Sequence, residues 1–413
     1  MKKIRILAFV MAGGEGSRLH PLTAERSKPA VPFGARYQIV DFVLSNLVNS
    51  RIHAIYLLVQ YKSQSLIEHI RQSWALSPML PEQFVTVVPP QMLRGREWFQ
   101  GTADAVRQNL NLIAQHDPEM VVVFGADHIY RMDVRAMVRF HTEREADITV
   151  AALPVPLEEA RGFGVMGVDA DGRIRDFQEK PATPAAMLED PTRALASMGN
   201  YLFKTPLLIE ALKEAERRGE RDFGRDVLPR LMKTHRLYAY DFTSNKVPGV
   251  RSYEEPGYWR DVGSIESYFA ANQDVLGLKP RFDAFNPRWP IYSSSYQGPV
   301  AKIISGSIEN SILAAGTVVN DASLRNSIIR HEVLLERDVE LDECIIMDSV
   351  HIRRGARLRR VIVDRYNSIA AKTCIGFDPE HDRRRYHVSD SGIVVVPSGR
   401  AVPGNRSYTG GYV

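Results

Sequence analysis

The chain has 413 residues, enough for two or three domains, each with its own core. A hydrophobic content of 44% and a charged content of 25% are those of an ordinary globular protein, and a net charge of +4 is too small to argue for nucleic acid as a partner. Cys344 and Cys374 are the only cysteines and lack metal-ligand spacing, which points to a reduced, cytoplasmic protein.

The opening run MKKIRILAFVMAGG imitates a secretory leader, with two lysines ahead of an apolar stretch. Arg5 interrupts it, and the apolar core from Ile6 to Met11 is too short, so a buried first strand over Ile4–Val10 is predicted instead. No run approaches the ~20 apolar residues of a membrane span, so no membrane association is expected. Further strands are predicted at Ala54–Val59, Phe84–Val88, Met120–Gly125, Ile148–Leu153 and Leu237–Asp241. These are short continuous apolar runs, as in strands buried on both faces. Helical stretches lie between them at Lys62–Trp74, Ala103–Ala114 and Asp133–Glu145. The alternation implies an α/β domain over residues 1–275, with a Rossmann-like, mostly parallel sheet covered by helices on both sides.

Residues 276–298, rich in Pro, Ser and aromatics, read as an ordered linker whose aromatics need burial. A different period follows from about 299 to 376. Ile312, Val318 and Leu324 are six apart, as are Val333, Val339 and Ile345, then Val350, Ala356 and Ile362, and finally Ile369 and Ile375. A period of six predicts a parallel β-helix in which each short strand buries one residue inward and about three strands make a coil. The β-helix domain is placed at 299–413, with the last ten residues of its tail expected to be loose.

Chemistry is concentrated first in MAGGEGSRLHPLTAERSKPAVPFG, at residues 11–34. It starts where the first strand ends, the place where open α/β sheets bind ligands. Gly13, Gly14 and Gly16 let backbone amides approach an anion, and a following helix N-terminus would add its dipole. The third glycine of a dinucleotide fingerprint is missing, and so is the Gly-Lys-Ser/Thr of a P-loop. Arg18 and Lys28 supply two cations near the turn, an arrangement suited to a polyphosphate that leaves as a group.

The motifs GGEGSRL, SKPAVPFG and the stretch Ile39 to Asn46 together resemble the N-terminal signature of sugar-nucleotide pyrophosphorylases, specifically their ADP-glucose-forming branch. The likeness continues through WFQGTADAV at 98–106, FGADHIYRMD at 124–133, GFGVM at 162–166 and FQEKP at 177–181. LASMGNYLF at 195–203, DFGRDVLP at 222–229 and YWRDVGSIESY at 258–268 extend it, and the six-residue solenoid stands where that family carries one, which implies a left-handed coil.

The resemblance implies a reaction between ATP and glucose 1-phosphate. A sugar-phosphate oxygen attacks the α-phosphorus and expels pyrophosphate, giving ADP-glucose for glycogen or another α-glucan. Such chemistry needs alignment and charge neutralisation more than an acid or base. By this likeness Asp127 and Asp261 hold Mg²⁺. Arg18 and Lys28 bind the β- and γ-phosphates, with the amides of Ala12, Gly13 and Gly14. Gln91, Gly101 and Thr102 contact the nucleotide and its base. Lys180 grips the sugar phosphate, while Glu179, Ser197, Gly164 and Phe99 line the sugar pocket; Phe99 stands where many bacterial relatives have Tyr. Relatives are commonly homotetramers controlled by anionic metabolites. On that pattern Gln60 and Trp98 couple an effector to catalysis, Arg36 takes the place of a regulatory lysine, and Arg384 and Arg385 form part of a basic effector site.

Other readings of the same residues are the same class with another nucleotide or sugar, and a non-catalytic regulatory subunit. The intact set Arg18, Lys28, Asp127, Lys180 and Asp261 argues against the subunit reading. A uridylyltransferase–acetyltransferase would need a catalytic histidine, for which His331 and His351 are the only candidates in the solenoid. A nucleic-acid-binding solenoid is supported only by Arg353, Arg354, Arg357, Arg359 and Arg360.

Overall fold

The computed structural model describes residues 4–76, 82–92 and 97–399; the tail residues expected to be loose lie outside them. The first part of the chain alternates as its apolar runs suggest. In order come β1 (Ile6–Ala12), α1 (Val40–Asn49), β2 (Ala54–Val59), α2 (Gln64–Ser73) and β3 (Phe84–Val88). Then follow α3 (Thr102–Gln108), α4 (Leu110–His116), β4 (Met120–Gly125), α5 (Val134–Glu143) and β5 (Ile148–Pro156). The helix predicted over Ala103–Ala114 is thus two. The Asn109 side chain donates to Ala105 O at 2.8 Å and competes locally with the backbone ladder. The part closes with β6 (Gly164–Val168), β7 (Ile174–Glu179), β8 (Arg193–Lys204), α6 (Thr205–Arg218), β9 (Leu237–Asp241) and α7 (Ile265–Gln273).

These strands form one nine-stranded sheet with β1 paired in parallel to both β2 and β4, and β2 in parallel to β3. Val10 lies between Leu57 and Phe124 in this register. The two faces of β1 feed two cores: Ala8, Val10 and Ala12 join the one that includes α1, α2 and α5, and Leu7 and Phe9 the one that includes α3 and α6. Burial on both sides explains the unbroken apolar run. β8, which carries the LASMGNYLF motif, extends the sheet antiparallel to β4, β5 and β6. A two-stranded ribbon outside the sheet pairs His128–Tyr130 with Trp259–Asp261. The linker aromatics Phe282 and Trp289 are buried, whereas Phe285 is exposed.

From Lys302 onward short parallel strands stack into a β-helix. Leu324, Leu341, Leu358 and Ile375 lie on one another in successive coils, at 17 residues per coil. One side of each coil is therefore a residue shorter than a strict six-residue period allows. Of the residues expected to point inward, Leu324, Val333, Val339, Val350, Ala356, Ile369 and Ile375 do so. Ile312, Ile345 and Ile362 do not. They belong to a third side whose strands are apolar on both faces: Ile346 and Val363 fill the coil, while Ile345 and Ile362 face outward. That outer face packs on Leu19, Leu22, Val31 and Phe33 of the glycine-rich stretch and on Ile265, Tyr268 and Phe269 of α7. Val318 is half-buried, its neighbour Val319 taking the interior place. Burying each such Ile or Leu stabilises by about 1.5–3 kcal/mol, so this seam ties the β-helix firmly to the glycine-rich stretch.

Candidate active site

A cleft of about 580 Å³ opens at the carboxyl ends of β1 and β4. Met11 to Gly14 and Gly16 line it where β1 ends. Gly16 has φ +64°, and a Cβ there would lie 2.9 Å from Lys28 Cβ, so the turn is closed only with glycine. The element after the turn is a three-residue 3₁₀ helix, Ser17–Leu19. The helix dipole expected behind the glycines is therefore lacking, and the positive charge beside the turn is that of the buried Lys28 and the exposed Arg18.

Two aspartates far apart in sequence meet here. Asp127 follows β4, and the outer ribbon places Asp261 opposite His128. Lys28 sits between the carboxylates, its Nζ 2.7 Å from Asp261 Oδ1 and 3.0 Å from Asp127 Oδ2, with a side chain only 8% exposed. Burial works against the charge on Lys28, but the two aspartates outweigh it and hold the ammonium above its ordinary pKa. Burial would likewise raise Asp127, yet Lys28 and then His128 hold its carboxyl well below the usual range. Arg18, largely exposed, reaches to 4.0 Å from Asp261 Oδ2. Asp127, His128 and Asp261 offer ligand atoms all within 4.8 Å of one another. Two carboxylates at an open cleft are hard oxygen donors that leave room for phosphate oxygens and water, so this pair fits a small divalent cation.

The other end of the cleft is lined by Gly164, Glu179, Lys180 and Ser197. Glu179 ends β7 and lies between two glycines: a Cβ at Gly164 would be 3.0 Å, and one at Gly224 2.6 Å, from its Oε2. Burial, reinforced by Asp222 and opposed by Lys180, pushes the Glu179 carboxyl above its ordinary pKa. Lys180 has φ +48° and donates its own N–H to Phe163 O at 3.0 Å, which turns its side chain out of the strand. Its Nζ is 3.8 Å from Glu179 Oε1 and the side chain is 65% exposed. Ser197 precedes a register shift between Ser197 and Tyr201, where β8 bends at the cleft wall.

Gly101 and Thr102 line the cleft at the start of α3. A Cβ on Gly101 would lie 2.4 Å from Arg221 O, which accepts the amides of Ala103 and Asp104. Phe99 also lines it, and its backbone is held at two points by Gln60: Phe99 N donates to Gln60 Oε1 at 2.6 Å and Gln60 Nε2 to Phe99 O at 3.3 Å. Gln60, expected in a coupling role, is thus itself part of the cleft wall. Gln91 is not: it is exposed, and its amide donates to Pro89 O. Trp98 is 51% exposed and outside the cleft lining. Asp222 and His128 are among the lining residues to which the sequence assigns no role. Asp222 accepts from Thr102 Oγ1 at 2.9 Å, and its motif DFGRDVLP was legible although the role of its first residue was not. His128 follows Asp127 directly and faces the cleft.

Arg36 lies elsewhere, in a second cavity of about 510 Å³ bounded by residues 33–37, the linker around Tyr296 and the first coil near Ala314. Its Nη2 donates to Ser294 O at 3.1 Å. Arg384 and Arg385 are exposed at the end of a short helix, Pro379–Arg383, and line neither cavity. His331 stacks on Tyr296, and His351 bonds to Glu336 at 2.6 Å.

A glycine turn and two aspartates at the carboxyl ends of parallel strands in a mixed sheet, backed by a β-helix, are the arrangement of a nucleotidyl transferase. The family model described as nucleotidyl transferase matches residues 7–277, and that of the GlmU-like C-terminal hexapeptide matches residues 299–396. A glucose-1-phosphate adenylyltransferase of Thermodesulfovibrio yellowstonii is 55% identical over 95% of this chain and 96% of its own length. Proteins of the same name from Thermus thermophilus and Corynebacterium jeikeium are 46% and 44% identical, over 97% and 95% of the chain and 99% and 97% of their own lengths. The chain belongs to the glucose-1-phosphate adenylyltransferase family. No helix among the described residues is long and apolar enough to cross a membrane.

Proposed function

We propose that this chain transfers the adenylyl group of ATP to glucose 1-phosphate, forming ADP-glucose and pyrophosphate. The observation that carries the reading is Lys28 clasped between Asp127 and Asp261 beside the glycine turn. A glucose 1-phosphate oxygen forms its bond to the α-phosphorus as the bond from that phosphorus to the bridging oxygen breaks, and pyrophosphate leaves with the electron pair. In this reading the amides of Ala12, Gly13 and Gly14 cradle the phosphates, while Arg18 and Lys28 hold the departing pyrophosphate. Gly101 and Thr102 bound the nucleotide, Lys180 grips the sugar phosphate, and Glu179, Gly164, Ser197 and Phe99 surround the sugar. Asp127 and Asp261 would hold a divalent cation, Mg²⁺ in this reading, which neutralises phosphate charge during transfer.

The reading extends to a cytoplasmic homotetramer feeding α-glucan synthesis, divided into a catalytic part at 1–275, a linker at 276–298 and a β-helix part at 299–413. Anionic metabolites would regulate it through Arg36, with Gln60, Trp98, Arg384 and Arg385 in support. The cavity at Arg36 and the paired hydrogen bonds between Gln60 and the Phe99 backbone favour this. The test is pyrophosphate release from ATP, UTP, dTTP or GTP with glucose 1-phosphate and Mg²⁺. ATP is expected to be the preferred donor. Preference for another nucleotide overturns the adenylyl assignment, and no release with any of them overturns catalysis.

A further inference from the structure

Two residues before Lys28, Arg26 is buried to 2% exposure and its guanidinium contacts both carboxylate oxygens of Asp364, itself 1% exposed. Asp364 belongs to the β-helix, where its backbone N–H bonds to Val396 O at 3.0 Å and its Oδ1 accepts Arg365 N at 2.7 Å. A second arginine makes the reverse connection. Arg330 of the β-helix, 5% exposed, donates through Nη1 to the carbonyls of Gly34 and Tyr37, each at 3.0 Å, and more weakly to that of Phe33 at 3.4 Å. Its Nε is held by Asp348 at 3.1 Å. Between the two arginine anchors lies the single turn Lys28–Ala30, and just beyond it Val31 and Phe33 pack on the outer face made by Ile328, Ile345 and Ile362. The segment carrying Lys28 is therefore fixed to the β-helix at both ends and along its far half.

We propose that Arg26, Asp364 and Arg330 are positioning residues through which the β-helix sets the place of Lys28 in the catalytic cleft. A lysine has a long, flexible stem, so its ammonium is a preorganised charge only if its backbone is immobile. One turn of 3₁₀ helix does not provide that by itself; its ends must be held. Paired guanidinium–carboxylate contacts fix a plane and a direction, whereas a buried ion pair adds little net stability over well-packed apolar side chains. The geometry thus points to placement rather than stability as what the Arg26–Asp364 pair contributes.

The inference rests on Lys28 holding pyrophosphate, so the full-length enzyme is assayed in reverse, with ADP-glucose and pyrophosphate. Asp364→Asn keeps the shape and is expected to raise the KM for pyrophosphate about tenfold while leaving that for ADP-glucose unchanged. The double variant Arg26→Met/Asp364→Leu, which replaces the pair by apolar groups, is expected to recover thermal stability but to keep the raised KM. Arg330→Gln, at the other end of the segment, is expected to shift the same constant in the same direction. An unchanged pyrophosphate KM in Asp364→Asn or Arg330→Gln, or its full recovery in the double variant, overturns the proposal. Lys28→Met is the control: if it leaves the pyrophosphate KM unchanged, the assignment of Lys28 fails instead.

Discussion

At the end of the cleft proposed for the nucleotide, Lys28 is 8% exposed and bonds to two aspartates; at the end proposed for the sugar, Lys180 is 65% exposed and its Nζ lies 3.8 Å from Glu179 Oε1. The carboxylates do not share this contrast: Glu179, boxed in by Gly164 and Gly224, lines the same cleft as Asp127 and Asp261. Phosphoryl transfer depends on positioning and on charge already in place, and in the proposed reading Lys28 and its two aspartates are such groups, held together by the fold before substrate arrives. A sugar phosphate has to enter and be captured, and there a mobile cation beside a fixed hydrogen-bond acceptor suits the task.

On this contrast between Lys28 and Lys180 the largest effect belongs to the preorganised end. Asp127→Asn is nearly isosteric and leaves Lys28 its bond to Asp261, so the protein should remain folded. Turnover should fall by roughly 10²–10³-fold, the usual consequence of removing one charge-stabilising group. Near-normal turnover with Mg²⁺ and both substrates would refute the metal-holding role. The sugar end predicts a different signature. Lys180→Gln should raise the KM for glucose 1-phosphate roughly 10- to 100-fold, as expected for one lost charge-assisted hydrogen bond, while that for ATP changes little. Equal shifts for both substrates would erase the distinction between the two ends.

Legibility in the sequence follows the range of the interactions. Asp127 could be placed at a strand's end because VVVFG is a local signal, and β2, β3, β4 and β9 coincide with their predicted spans. Its approach to Asp261 depends on the ribbon between Trp259–Asp261 and His128–Tyr130, whose strands of three residues are too short to show a period. The bond from Thr102 to Asp222 spans 120 residues and leaves no local trace. β8 escaped because its run is interrupted by Asn200 and by Gly199 at φ +70°, where the register shifts. In the β-helix the period of six is visible, but not that Ile345 and Ile362 serve the seam with the glycine-rich stretch. A side apolar on both faces has no alternation to reveal which residue points in. Gln91 was placed by likeness alone, and the structure leaves it outside the cleft.

The smallest expected effect is a pH dependence at the sugar end. Burial raises the Glu179 pKa in the folded chain, with Asp222 adding to it and Lys180 opposing. For a carboxylic acid this means that the folded protein keeps the proton to a higher pH than the unfolded chain does, so ionising Glu179 costs stability as pH rises through that window. The ionised carboxylate accepts hydrogen bonds from sugar hydroxyls more strongly than the protonated acid does. Affinity for glucose 1-phosphate should therefore fall as pH is lowered, and begin to fall above the ordinary glutamate range. The substrate's own phosphate also titrates, so the informative quantity is the ratio of the glucose 1-phosphate KM in Glu179→Gln to that in the unaltered enzyme, measured between about pH 5 and 8. Dividing the two removes the substrate's contribution. The ratio should be several-fold above one near neutrality and shrink toward acid, because protonation makes the native side chain neutral like Gln. A ratio that stays constant across the range would mean that the Glu179 charge is not what holds the sugar, leaving its fixed geometry between Gly164 and Gly224 as the part that matters.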